Sequence, residues 1–261
     1  MPSLAALINF LEEFAPPAQA ESWDNVGLLV GEREKQVLRV MTCLTITPAS
    51  AAEAIEERAD LIVTHHPLPF HPLKRVTSET PEGKLLLDLI RSGVAVYSPH
   101  TAFDSARAGI NQRLAEGIGV LVSKVLVPSE SGELGAGRWG QLDKPIAVSQ
   151  LAQRVKQFLK VERVQVVGSP ARSVHSVAVA CGSAGELLSA AGQLGCDCFV
   201  TGEMRFHGCL EAETGGIAVI LAGHFASERF AVEQLAEVLA EQLPGLEVWA
   251  SRREQDPISW L

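Results

Sequence analysis

Apolar residues recur along this chain in two rhythms. At the N-terminus Leu4, Leu7, Ile8, Leu11 and Phe14 fall three or four positions apart, which predicts a helix capped by Ser3 and ended by Pro16-Pro17. Short, continuous apolar runs then take over. Val37 to Ile46, Leu61 to Val63 and Val94 to Tyr97 read as strands buried on both faces. Between them, Thr47-Pro48 and Thr80-Pro81 each place an N-cap before a Pro at the first helical position, which predicts helices to Arg58 and to Gly93. A further helix is expected over about 108–116.

The stretch 128–146 breaks the rhythm. Residues 129–140 are rich in Gly and Ser and predict a loop around a strand, so the chain divides there into a first unit, 1–127, and a second, 128–261. Ser149 is expected to cap a helix bearing Leu151, Val155, Phe158 and Leu159. Strands follow at Arg163 to Val167, Val174 to Cys181, Phe199-Val200 and Ile217 to Leu221. Ser183-Ala184-Gly185-Glu186 reads as a capping box. The last helix runs from about Ser227 to Gln242, and it is free to pack back on the first unit. Strand and helix alternate in both halves, so the fold class is α/β, with a mostly parallel sheet in each of two similar units.

The similarity extends to residues. Asp60-Leu61-Ile62-Val63-Thr64-His65-His66 aligns with Asp197-Cys198-Phe199-Val200-Thr201-Gly202-Glu203. The next strand in each half ends in histidine, His100 or His224, and four residues later comes a carboxylate, Asp104 or Glu228. The chain reads as two diverged copies of one βαβαβ unit. Ligands of open α/β sheets gather at the carboxyl ends of the strands, where all these residues fall. With the copies facing each other about a local two-fold, their strand ends would converge on a site between the units.

Imidazole and carboxylate donors suit zinc, iron, manganese, cobalt or nickel. Six of them, His65, His66, His100, Asp104, His224 and Glu228, exceed the three protein ligands of an ordinary catalytic ion. Two divalent ions about 3.5–4 Å apart would use them all and supply hydroxide from bound water at neutral pH, which makes hydrolysis the natural reaction class. Adjacent residues of a strand point to opposite faces, so His65 and His66 share a site only where the chain turns, and Pro67 favours an exit there. Taken singly, His100 or His224 reads as a hydrogen-bonded strand-end histidine, and Asp104 or Glu228 as a charge at a helix start. Glu203 and His207 are candidates for orienting a ligand or handling protons.

Composition narrows the partners. The net charge of −9 and pI near 5.3 argue against a nucleic-acid surface. No segment reaches the about 18 uninterrupted apolar residues of a membrane helix, and the start lacks a basic signal-peptide region, so a cytoplasmic protein is expected. The five cysteines show no C-x-x-C pairing and read as buried thiols, with Cys196 and Cys198 expected on one strand face.

Several of these segments together resemble a known family, the GTP cyclohydrolase I type 2 homologs, also called Nif-three-like proteins. The resemblance is carried by Trp23-Asp24-Asn25-Val26-Gly27-Leu28, Thr64-His65-His66-Pro67-Leu68, His100-Thr101-Ala102-Phe103-Asp104, Gly137-Arg138-Trp139-Gly140, Thr201-Gly202-Glu203 and Gly223-His224-Phe225-Ala226-Ser227-Glu228. It implies a two-domain α/β fold, a dinuclear site with those six residues as ligands, and a ring-shaped homohexamer. One departure stands out. The family often places Asp in a Leu-Asp-x-Thr context after the first long strand, where this chain has Leu44-Thr45-Ile46-Thr47. The expected function is metal-dependent hydrolysis of a small molecule, of the nucleotide or heterocycle type by resemblance alone. The rival is a metal carrier or a metal-stabilised regulatory protein. No P-loop is present, and Lys74, Arg75 and Arg138 are candidate anion contacts.

Overall fold

A computed structural model describes residues 2–129 and 134–259. The elements in chain order are α1 (Leu4–Phe14), β1 (Gly27–Val30), β2 (Arg39–Cys43), α2 (Pro48–Glu56), β3 (Leu61–Thr64), α3 (Pro81–Arg91), β4 (Ala95–Ser98), α4 (His100–Ser105), α5 (Ile110–Gly117), β5 (Leu121–Pro128), β6 (Gly135–Ala147) and α6 (Val148–Leu159). They continue with β7 (Gln165–Val167), β8 (Ser173–Ala180), α7 (Leu188–Gln193), β9 (Cys198–Thr201), α8 (Phe206–Thr214), β10 (Ala218–Leu221), α9 (His224–Gln242) and β11 (Glu247–Ala250). The chain forms two compact units, Met1–Phe103 with Ala231–Leu261, and Asp104–Phe230. It passes from one to the other within α4 and returns within α9.

The first unit holds a five-stranded sheet ordered β1-β4-β3-β2-β11. All pairs are parallel except β1 with β4. Burial on both faces explains the unbroken apolar runs. Met41, Cys43, Ile62 and Val96 pack with Ala51 and Ala54 of α2 and Leu86 and Leu89 of α3. On the opposite face Thr42 donates a hydrogen bond to the Val232 carbonyl of α9 at 2.7 Å. Both expected Thr-Pro helix starts are present. Thr47 and Ser50 bond reciprocally, and Thr80 Oγ1 accepts from Gly83 N at 3.1 Å.

The second unit holds six strands ordered β5-β6-β8-β9-β10-β7. Its centre, β8-β9-β10, is parallel, and antiparallel strands flank it. Val177, Val179, Cys198, Val200 and Ile220 face α5 and α6, while Ala178, Ala180, Phe199, Val219 and Leu221 face α7 and α8.

The repeat is real at the level of hydrogen bonds. In each unit an antiparallel edge strand (β1 or β7) flanks a parallel trio, β4-β3-β2 or β10-β9-β8. Asp60, just before β3, accepts from the amides of Leu38 and Arg39 at 2.8 and 3.0 Å. Asp197, just before β9, accepts from those of His175 and Ser176 at 2.8 and 2.9 Å. Each carboxylate binds two amides near the start of the neighbouring strand, at equivalent positions in the two copies.

Some expected details differ. Of the Gly- and Ser-rich stretch 129–140, expected as a loop around a strand, residues 135–140 are part of β6. β5 and β6 pair antiparallel, which keeps both in the second unit, and residues 130–133 lie outside the described residues. The helix expected over 108–116 is preceded by the short α4. The capping box at 183–186 is not formed: a single 3-10 turn without a side-chain cap leads into α7. Cys196 and Cys198 are both buried but belong to different core clusters, because β9 begins only at Cys198 and the strand alternation does not reach back to Cys196.

Candidate metal centre

Every histidine expected to ligate a metal sits just beyond a parallel strand. His65 and His66 follow β3, His100 begins α4 after β4, and His224 begins α9 after β10. The sharp turn that His65 and His66 require is built locally. Their amides donate to the carbonyls of Cys43 and Leu44 at 3.0 and 2.8 Å. The Thr64 hydroxyl lies 3.1 Å from the His66 carbonyl, an i to i+2 contact that bends the chain, and Ser98 donates to the His65 carbonyl at 2.7 Å. The two rings then lie 5.1 Å apart, and His100 lies 5.1 Å from His65 and 5.7 Å from His66. One ring nitrogen from each of the three lies within 4.8 Å of the others, so these imidazoles form a group able to hold a metal ion.

The rings are held from behind. Asp24 Oδ1 lies 2.7 Å from His100 Nδ1, and the same carboxylate accepts from Thr101 N at 3.1 Å and from the Thr101 hydroxyl. Burial would raise the Asp24 pKa, but the bonds from His100 and Thr101 outweigh it and hold it at about 2, so the group is a carboxylate at neutral pH. His100 adopts φ +27°, a strained backbone for a non-glycine residue, which this network stabilises. Thr45 Oγ1 lies 2.7 Å from His66 Nδ1. Its loop is anchored in turn by Glu254, which accepts from the amides of Leu44 and Thr45.

In the second unit, His224 lies between two acids. Its Nδ1 is 2.9 Å from Glu203 Oε1, and its Nε2 is 3.1 Å from Glu228 Oε2, one helical turn along α9. The bond to Glu228 raises the His224 pKa most; burial opposes it, and Glu203 adds to the rise, giving about 9. Asp104 Oδ1 accepts from the Cys181 thiol at 3.1 Å. Burial, with the charges of Asp104 and Glu228, keeps that thiol protonated, its pKa well above the ordinary value. Gly182 leaves room for Glu228: a Cβ there would lie 2.2 Å from Glu228 Oε1.

Donor chemistry and the Nδ1 partners fit a divalent cation: imidazoles anchored through one nitrogen present the other to a metal. His65, His66 and His100 are brought together in the first unit, and His224, Glu228, Asp104 and Glu203 lie in the second. His207 is exposed on α8, with its ring edge-on to Phe206. Sequence reading passed over Asp24 as a ring holder, although an acid beside a strand-end histidine in the Trp23-Asp24-Asn25 motif carried that signal. Cys181 is buried, as read from the sequence, but its bond to Asp104, 77 positions away, carried no local signal. Arg138 is not an anion contact: it is 3% exposed, and its guanidinium donates to the carbonyls of Ser105, Ala106, Gly135 and Gly137.

Two α/β units of repeated topology, each built on a parallel strand trio with histidine beyond the strand ends, define a class of candidate metal-binding proteins. The sequence matches the family described as Duf34/NIF3 (NGG1p interacting factor 3) over residues 2–257, and the chain belongs to that family. It is 37% identical over 224 residues to a GTP cyclohydrolase 1 type 2 homolog of Clostridium acetobutylicum, covering 85% of this chain and 84% of that one. It is 32% identical over 260 residues to a protein of the same name from Clostridium perfringens, covering 98% of each. Among solved structures, a Bacillus cereus protein related to NIF3 superposes with a TM-score of 0.91 at 24% identity, covering 100% of this chain and 99% of that one.

Proposed function

We propose that the chain holds two divalent metal ions through His65, His66, His100, Asp104, His224 and Glu228, and hydrolyses a small molecule of the nucleotide or heterocycle class in the cytoplasm. The observation that carries this reading is the group of three imidazoles within 4.8 Å, two of them anchored at Nδ1. His100 and Asp104 stand four residues apart on α4, as His224 and Glu228 do on α9, so each copy of the repeat offers one imidazole and one carboxylate at the same spacing. The names of the relatives support a cyclohydrolase-like substrate. Divalent ions in such a set supply Lewis acidity and hydroxide at neutral pH. In this reading Glu203 orients His224, and His207 is left to handle protons.

Metal analysis of the purified protein, followed by anomalous scattering at several metal edges, tests the proposal. Two ions per chain are expected, each bound by residues of this set. His65→Ala with His224→Ala should abolish binding while the fold survives. Metal absent after loading with zinc, manganese, iron, cobalt or nickel would sink it. Failure of the loaded protein to turn over any member of a phosphatase, nucleotidase and amidohydrolase panel would leave a metal carrier as the better reading.

A further inference from the structure

The anchored imidazoles are not held alike. His100 Nδ1 faces the Asp24 carboxylate at 2.7 Å, and His224 Nδ1 faces the Glu203 carboxylate at 2.9 Å. His66 Nδ1 faces the Thr45 hydroxyl at 2.7 Å. An ionised carboxylate only accepts, so it keeps a proton on the Nδ1 it faces. In the neutral ring that puts the lone pair on Nε2, the nitrogen a cation would take, and the negative charge also makes the ring a stronger donor. A hydroxyl both donates and accepts. Beside Thr45, His66 therefore has two tautomers within reach, and only the one with a bare Nε2 can ligate. Thr45 lacks the charge that would favour that tautomer or offset a bound cation.

We infer that Thr45 makes His66 the weakest of the three imidazoles anchored at Nδ1, so that the ion held through His66 is the exchangeable one of the pair. The inference rests on the dinuclear reading above, and it assigns Thr45 as a positioning residue that sets which ion leaves first. The loop carrying Thr45 is fixed by Ser50 and Glu254, so the contrast lies in the side chain rather than in loop mobility.

Chelator competition on the zinc-loaded full-length protein tests it. The wild type should release its two ions in two resolved steps. Thr45→Asp should tighten the weaker step about tenfold and narrow the gap, Thr45→Val should loosen that step by about tenfold, and Thr45→Ser should restore wild-type release. A merely structural disturbance would loosen binding in the Asp variant too. Nitrogen-15 shifts of the metal-free protein give a second readout: His66 should populate both neutral tautomers in the wild type and the Nδ1–H form alone in Thr45→Asp, while His100 stays in that form throughout. Simultaneous release of both ions, or a Thr45→Asp variant with unchanged affinity and unchanged His66 shifts, overturns the inference while leaving the metal site standing. A wild type that binds none of zinc, manganese, iron, cobalt and nickel overturns both.

Discussion

Glu53 shows how a single buried charge holds one unit closed. Its side chain is 1% exposed on α2, yet its carboxylate accepts from the Ser251 hydroxyl at 2.7 Å, the amides of Arg252 and Arg253 at 3.0 Å and the Trp249 indole at 3.2 Å. The acid thus fastens the segment after β11 to α2. Burial would raise the pKa, but these donors outweigh it and lower it below its ordinary 4.5. A carboxyl whose folded pKa is depressed stabilises the fold above its unfolded pKa and loses that contribution as pH falls through the folded value. We expect Glu53→Gln to cost about 2–3 kcal/mol at pH 7 by urea unfolding, because one donor group is left facing the amide nitrogen. Below pH 4.5 the gap between the two proteins should shrink. A gap that widens in acid would contradict the assignment.

Glycines at strand ends decide what each copy of the repeated element can carry. Gly202 aligns with His65, and it follows β9 where His65 follows β3. A Cβ at Gly202 would lie 2.5 Å from both the Gly182 carbonyl and the Ser227 hydroxyl. The second copy therefore has no space for a side chain at the position where the first carries an imidazole, and its contribution shifts to Glu203, the next residue. Gly202→Ala should destabilise by about 1–3 kcal/mol through overpacking, seen as a lower melting temperature. An alanine variant as stable as wild type would show that the close approach is relaxed in solution. The Asp60 and Asp197 clamps belong to the same scale: each element pair is positioned by a carboxylate that the aligned motif already displays.

At the scale of the whole molecule, the chain crosses between its two units twice, within α4 and within α9, and both helices begin with a proposed ligand. Any ion bound by the folded chain and not by the unfolded one stabilises the fold by mass action. Stripping metal with a strong chelator should lower the melting temperature, and re-addition of zinc should restore it in a concentration-dependent manner. Identical melting with and without the chelator would count against a metal held by the folded chain. The ring-shaped homohexamer implied by family resemblance predicts a solution mass of six times the 27.9 kDa chain by light scattering. Among the described residues no helix is long and apolar enough to cross a membrane.

Much of this was legible in the order of residues. Apolar runs bounded by Thr-Pro and Gly marked the strands and helices, because a strand buried on both faces must be apolar throughout. The aligned Asp60 and Asp197 motifs revealed the repeat, and the histidines fell at strand ends, where local sequence fixes them. What the tertiary structure alone decided is which atoms lie behind each ring and which strand completes each sheet. Asp24 reaches His100 across 76 positions, and Glu254 anchors Thr45 across 209. β11 joins the first sheet beside β2, although it lies at the far end of the chain. Arg138, which looked available to an anion, is consumed by four carbonyls. Periodicity and caps act over a few residues and are written locally; hydrogen bonds between remote segments exist only after loop closure has brought their donors and acceptors together.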